Sequence, residues 1–182
     1  MKKQFVTAAA ALTLLSTNVT AKAQHLFDTR DAIEMSRFSN LTPSDEHAPV
    51  RFSPDGRYFV FVTSRGVLAS DEIESRMWIY SSHRVGTFLR GASTMAPQPR
   101  LLATARSTPE QFSYASYSSV ITNVQWSSDS KSIYFLVQSH SGNRRLSRAF
   151  PGSSKVSILT PENEDVVRYV LTSKAVAYVA VN

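Results

Sequence analysis

The sequence predicts an all-β chain assembled from repeated four-stranded units behind a short N-terminal helix. Three observations predict it. A strand–turn–strand pattern at Val50–Val62 returns, without gaps, at Val124–Leu136. A worn copy follows at Tyr169–Tyr178, 43 residues after the second. Between these units, runs of Val, Ile, Leu, Phe and Tyr are punctuated by Pro, Gly, Ser and Asp, which is the grammar of strands and turns. With 182 residues, 42% of them hydrophobic, and ten Phe, seven Tyr and two Trp, the chain can bury a core as one domain.

The first residues read as an address. Met1–Gln4 is basic, Phe5–Leu15 is apolar and uncharged, and Ala21-Lys22-Ala23 supplies a small-residue cleavage pattern before Gln24. These are the three parts of a secretory signal peptide, expected over residues 1–23. The apolar run is shorter than the roughly 18 residues that span a bilayer. Removing Lys2, Lys3 and Lys22 lowers the net charge from +6 to +3, so half of the basic excess belongs to this segment. The remaining arginines are scattered, which argues against a nucleic-acid surface. The chain has no cysteine. Disulfide scaffolds, thiol nucleophiles and thiolate metal sites are thereby excluded, and the expected location is a bacterial periplasm or exterior.

Residues 24–49 form a helix and a linker. Thr29 is a capping residue, acids follow, and Ala32, Ile33, Met35 and Phe38 give a partial apolar face, so a helix of two to three turns is expected over Thr29–Phe38. Thr42-Pro43 turns the chain, and Asn40-Leu41-Thr42 is a formal glycosylation sequon.

In the first unit, Pro54-Asp55-Gly56 is a strong turn signal, because Pro pre-sets φ, Asp caps and Gly accepts positive φ. Met77–Tyr80 reads as its third strand and Arg100–Thr104 as its fourth. The second unit matches Phe52 with Trp126, Ser53 with Ser127, Asp55 with Asp129, Arg57 with Lys131 and Phe61 with Phe135. Its third and fourth strands are expected at Arg145–Phe150 and Lys155–Thr160, closed by Pro161. The two units lie 74 residues apart, 31 more than one period, and the excess is expected in loops at Ser82–Ala96 and Arg106–Ser119, with one helical turn at Val85–Leu89. A 40–45-residue repeat of four strands is the signature of a β-propeller blade. The expected fold is therefore an incomplete β-propeller of about two and a half blades. Blade one spans 50–105, blade two spans 120–161, and a third begins over 166–182.

Asp31–Phe38, Val50–Tyr58, Ile121–Trp126 and Ala175–Ala180, in that order, make the chain similar to the propeller of secreted prolyl-oligopeptidase-family serine peptidases. The likeness is to the dipeptidyl-aminopeptidase and acylaminoacyl-peptidase type, which includes lasso-peptide isopeptidases. The resemblance implies a propeller that gates an α/β-hydrolase domain carrying Ser, Asp and His, placed C-terminal to it. No Gly-x-Ser-x-Gly elbow is present; Gly91-Ala92-Ser93-Thr94-Met95 lacks the final Gly. The sequence reaches Asn182 inside the third repeat, so a fragment is expected, poorly stable alone because terminal blades need cover.

No constellation in the chain spells a catalytic, cofactor or metal site. His25, His47, His83 and His140 have no ligand spacing and are expected in loops or at the terminus. Serine is abundant, but no base and orienting acid stand near one. Asp71-Glu72 with Glu74, and Glu162 with Glu164-Asp165, are expected to be solvated loop acids. Asp55 and Asp129 recur at one turn position, which argues for a structural role. Phe52, Trp126, Phe61 and Phe135 are expected in the core between blades. The functional expectation is the propeller segment of an exported serine peptidase, binding peptide substrate or a protein partner at the propeller face. The alternatives are a Tol-like periplasmic propeller that binds protein partners and a non-functional truncated product.

Overall fold

The computed structural model of the protein describes residues 26–39, 49–108, 119–173 and 175–181. The signal-peptide, His25, His47 and sequon expectations lie outside the described residues.

Helix α1 (Thr29–Glu34) is capped by Asp28 rather than Thr29. The Asp31 amide donates to Asp28 Oδ1 at 2.9 Å and the Asp28 amide to Asp31 Oδ2 at 3.0 Å, a reciprocal capping box. The helix does not reach Phe38. Arg37–Ser39 forms strand β1 instead, antiparallel to Val62–Ser64. So short a helix gains little per residue, and the neighbouring strand offers a free edge whose backbone groups need partners. Ile33 anchors α1 over Gly66, where a Cβ would collide with the Ile33 side chain.

Blade one is built on a long hairpin, β3 (Tyr58–Val67) and β4 (Glu72–Ser81), paired from Tyr58–Ser81 to Val67–Glu72. Strand β2 (Val50–Phe52) lies along β3 end to end with β1, and β5 (Arg100–Ser107) pairs with β4. The sequence reading shortened β3 and β4 because their distal halves, Thr63–Val67 and Glu72–Arg76, are polar and charged. Part of the excess length is therefore strand. Ser82–Leu89 folds as α2, two turns rather than one, with Ser81 as its cap.

Blade two is β6 (Ile121–Trp126), β7 (Ile133–Gln138), β8 (Arg144–Ala149) and β9 (Ser157–Ile158), in that spatial order. Strand β9 is only two residues of the six expected. Thr160 Oγ1 takes the Leu146 amide at 3.1 Å, and this side-chain bond ends the regular ladder. The third unit is the hairpin β10 (Asp165–Leu171) and β11 (Val176–Val181).

The repeated turn has a physical basis. Ser53 Oγ donates to Asp55 Oδ1 at 2.6 Å, Asp55 Oδ1 receives the Arg57 amide at 3.1 Å, and Ser53 Oγ accepts the Tyr58 amide at 3.0 Å. Ser127, Asp129, Lys131 and Ser132 repeat this network at 2.6, 3.0 and 2.9 Å. Hydrogen bonds from Ser53 and from the Arg57 backbone hold the Asp55 carboxyl below its ordinary range; Ser127 and the Lys131 backbone do the same for Asp129. Both aspartates are structural. Gly56 sits at φ +68° and its counterpart Ser130 at +60°. Ser130 occupies the left-handed conformation without being glycine, and its Oγ accepts the Asp55 amide at 3.0 Å, tying the two turns together.

Blades stack face to face. Val60, Val62, Met77, Ile79 and Leu102 of blade one pack on Ile121, Val124, Ile133 and Phe135 of blade two, all buried. Leu136 and Leu146 on the other face of blade two pack on Val166 and Tyr169. One aromatic donor crosses each boundary. Trp126 Nε1 donates to Arg51 O at 3.1 Å. The Tyr169 hydroxyl bonds to the carbonyls of Asn123 and Tyr134, the latter at 2.9 Å, and burial pushes this phenol far above its ordinary pKa. The sheets do not close into a barrel among the described residues.

Two substitutions test this packing. Tyr169→Phe keeps the ring but leaves two half-buried carbonyls short of a donor, so unfolding free energy falls by about 1–3 kcal/mol in urea titration. Gly66→Ala releases α1 from β3; amide exchange rises in α1 and β1 while the β3–β4 ladder stays protected.

Candidate functional site

Strand alternation gives blade one two different faces. One carries Val60, Val62, Met77 and Ile79 and is covered by blade two. The other carries Phe59 and Phe61 of β3, Trp78 and Tyr80 of β4, Phe38 of β1 and Phe52 of β2. Its rings meet in a row. Phe52–Phe59, Phe59–Tyr80, Phe61–Tyr80 and Phe38–Phe61 have centroids 5.3, 5.4, 5.9 and 5.4 Å apart. Trp78 Nε1 donates to Thr63 Oγ1 at 3.0 Å. Phe38 and Phe52 are 66% and 63% exposed. Phe52 and Phe61 are thus not in the core between the described blades, whereas Phe135 is fully buried and Trp126 packs against that core.

The distal half of the same face is charged. Glu74 is 2% exposed although it stands in a sequence of loop-like polarity. Arg65 Nε and Arg76 donate to its Oε1 at 3.0 and 2.8 Å, and Arg106 donates to Oε2 through Nε at 2.8 Å and through a terminal amino group at 2.5 Å. Register makes the cluster, because Arg65 and Arg106 are the cross-strand partners of Glu74, and Arg76 follows it on the same side of β4. Burial pushes the Glu74 carboxyl up, but the hydrogen bonds from Arg106 and Arg65 and the charges of Arg76 and Arg65 outweigh it, and the net direction is down. The acid stays ionised, and three guanidinium groups share one carboxylate.

Three of the other expected acids, Asp165, Glu164 and Glu72, also have partners. Arg144 grips Asp165 with Nε at 3.0 Å and a terminal amino group at 2.8 Å. Tyr178 donates to Glu164 at 3.0 Å. Glu72 receives Ser70 at 2.7 Å and lies 3.5 Å from His140 Nδ1 on the neighbouring hairpin tip. His83 is on α2 rather than in a loop. Ser93 bonds locally to Met95. A row of buried and half-buried hydroxyls, Ser39, Ser64, Ser75 and Ser119, links β1, β3 and β4 to the start of blade two, with contacts of 2.7 to 3.3 Å. No acid or histidine joins it among the described residues, nor do three His, Asp or Glu side chains converge there as metal ligands. Sequence reasoning missed the Glu74 cluster, whose signal was Arg65, Glu74, Arg76 and Arg106 at alternate strand positions.

No family model and no curated protein matches the chain. Solved structures do. The chain is similar to AtxE2 isopeptidase in its apo form, with 18% identity and a TM-score of 0.56. It is similar, at 16% identity and the same TM-score, to a variant of that isopeptidase with Astexin3-dC4 bound. Each comparison covers 82% of this chain and 22% of the other. Pyrococcus horikoshii acylaminoacyl peptidase matches at 9% identity and a TM-score of 0.40, over 65% of this chain and 14% of that one. The likeness to AtxE2 is one of fold. This chain spans about a fifth of the length of those structures.

Glu74→Gln leaves three arginines without their shared anion and is expected to cost about 3 kcal/mol in chemical denaturation at pH 7. Because the folded-state pKa of Glu74 lies below the ordinary value of 4.5, its stabilisation is complete above that pH and disappears as pH falls through the folded value. The stability difference between wild type and Glu74→Gln, measured from pH 7 to pH 2, should therefore shrink only at the acid end.

Proposed function

We propose that this chain is the propeller-like part of an exported serine peptidase of the prolyl-oligopeptidase type. In this reading it positions peptide substrate for a hydrolase domain carried by the same polypeptide, and residues 1–23 direct export to the periplasm or cell exterior. The observation that carries the reading is the fold alignment over 82% of the chain with AtxE2 isopeptidase, of which that alignment occupies 22%. The geometry supports it in a second way. A blade covered on one side by blade two and, among the described residues, bare on the other suits an array that continues.

The test is the intact mass and N-terminus of the protein purified from its native source, combined with fluorophosphonate labelling of serine hydrolases. The expected product begins at Gln24, is four to five times heavier than 20.2 kDa and takes up the label. A species at that mass, or at that mass less residues 1–23, that stays unlabelled would overturn the reading.

A further inference from the structure

We propose that the cavity between blades one and two takes a carboxylate on a compact apolar body, with the carboxylate received by Arg145 and Ser147 of β8. Both walls of this cavity belong to the described residues, so the site stands whether or not the peptidase reading does.

Packing comes first. On β5, Ala103 and Ala105 turn toward blade two. On β8, Arg145 and Ser147 are the cross-strand partners of Val137 and Phe135 and turn with them toward blade one. Two methyl groups do not fill the space that Met77 and Ile79 fill on β4. A gap of about 380 Å³ remains between the sheets, lined by these alanines, by Arg145 and Ser147, and by Phe135 and Ile158. Small-molecule sites occupy roughly 300–1,000 Å³ and are mostly apolar with a few converging polar groups, which describes this wall. Ile158 is exposed, so the gap is open to solvent.

The polar groups select the occupant. Ser147 is 1% exposed, yet its hydroxyl makes no hydrogen bond with a described residue. Arg145 donates from one terminal amino group to Thr160 O at 2.8 Å, and its Nε is buried without a partner. No carboxylate among the described residues pairs with it. Repeat register shows what is missing. Arg76 of blade one is the cross-strand partner of Thr63, and Arg145 is that of Val137, 74 residues later. The two arginines hold the same place on the same face of their blades. Two residues before Arg76 stands Glu74, which meets it at 2.8 Å; two before Arg145 stands Asn143, an uncharged amide. Blade one carries its anion in the chain, and blade two does not. A half-buried guanidinium without a counter-ion is costly. A carboxylate from outside supplies the charge and the acceptor oxygens that Glu74 supplies in blade one. A free carboxylic acid and the C-terminal residue of a peptide share this chemistry.

The probes are 4-methylpentanoate and 4-methylpentanamide, with acetyl-Ala-Leu and its C-terminal amide as the peptide pair. Each is titrated into the full chain and followed by carbon-13 NMR of methyl groups. The acids should shift the Ala103 and Ala105 methyls and bind about tenfold more tightly than their amides. Arg145→Gln, which keeps a donor for Thr160, should bring the acids to the level of the amides. Arg145→Lys, which keeps the charge, should restore part of the difference. Tighter binding of 4-methylpentanoate than of acetyl-Ala-Leu assigns the site to a free acid, and the reverse order assigns it to a peptide C-terminus. Equal affinity of acid and amide in both pairs overturns the proposal. So does an acid preference that survives Arg145→Gln, or the absence of shifts at Ala103 and Ala105.

Discussion

A blade in this chain is a sheet with apolar side chains on both faces, so each blade needs a neighbour on both sides. That constraint organises the structure. Alternation puts Val60 and Val62 on one side of β3 and Phe59 and Phe61 on the other, and neither set can be left in water without cost. Blade two resolves one side of the problem for blade one and has its own other side resolved by the third unit. The core is accordingly a series of slabs between sheets. Contacts run from one unit to the next, which makes stability a sum over boundaries.

The boundaries are specified by a few polar contacts as well as by area. An indole N–H and a phenol O–H each cross from one blade to the backbone of the one before it, and a serine in left-handed conformation ties its turn to the amide of Asp55, 75 residues away. Such bonds stabilise modestly but orient strongly, since a misaligned blade would bury an unpaired donor. The Ser-x-Asp turn serves the same end locally. Its carboxylate and hydroxyl bind the chain on both sides of the reversal and hold the hairpin in one register.

The polar half of blade one follows another rule. Glu74 survives burial because register brings three arginines to it. A carboxylate alone at that depth would take up a proton; with three guanidinium partners it remains an anion and the surroundings remain cationic. The face thus combines an aromatic row with a positive end.

Much of this was legible along the chain. The repeat period, the Ser-x-Asp turns, the two four-stranded units and the final hairpin are written as side-chain alternation and turn chemistry, which act over a few residues and leave their mark in the sequence order. The end of α1, the strand at Arg37–Ser39, the shrinkage of the fourth strand of blade two and the burial of Glu74 were not. Each depends on what lies beside the segment: a free edge of β3, a threonine hydroxyl that replaces a ladder bond, three arginines brought together by antiparallel pairing. Phe61 and Phe135 hold equivalent places in the repeat and read alike, yet one is half-buried and the other fully buried. Local sequence determined which residues could form the faces of blades, and the stacking of the sheets decided which of those faces would be covered.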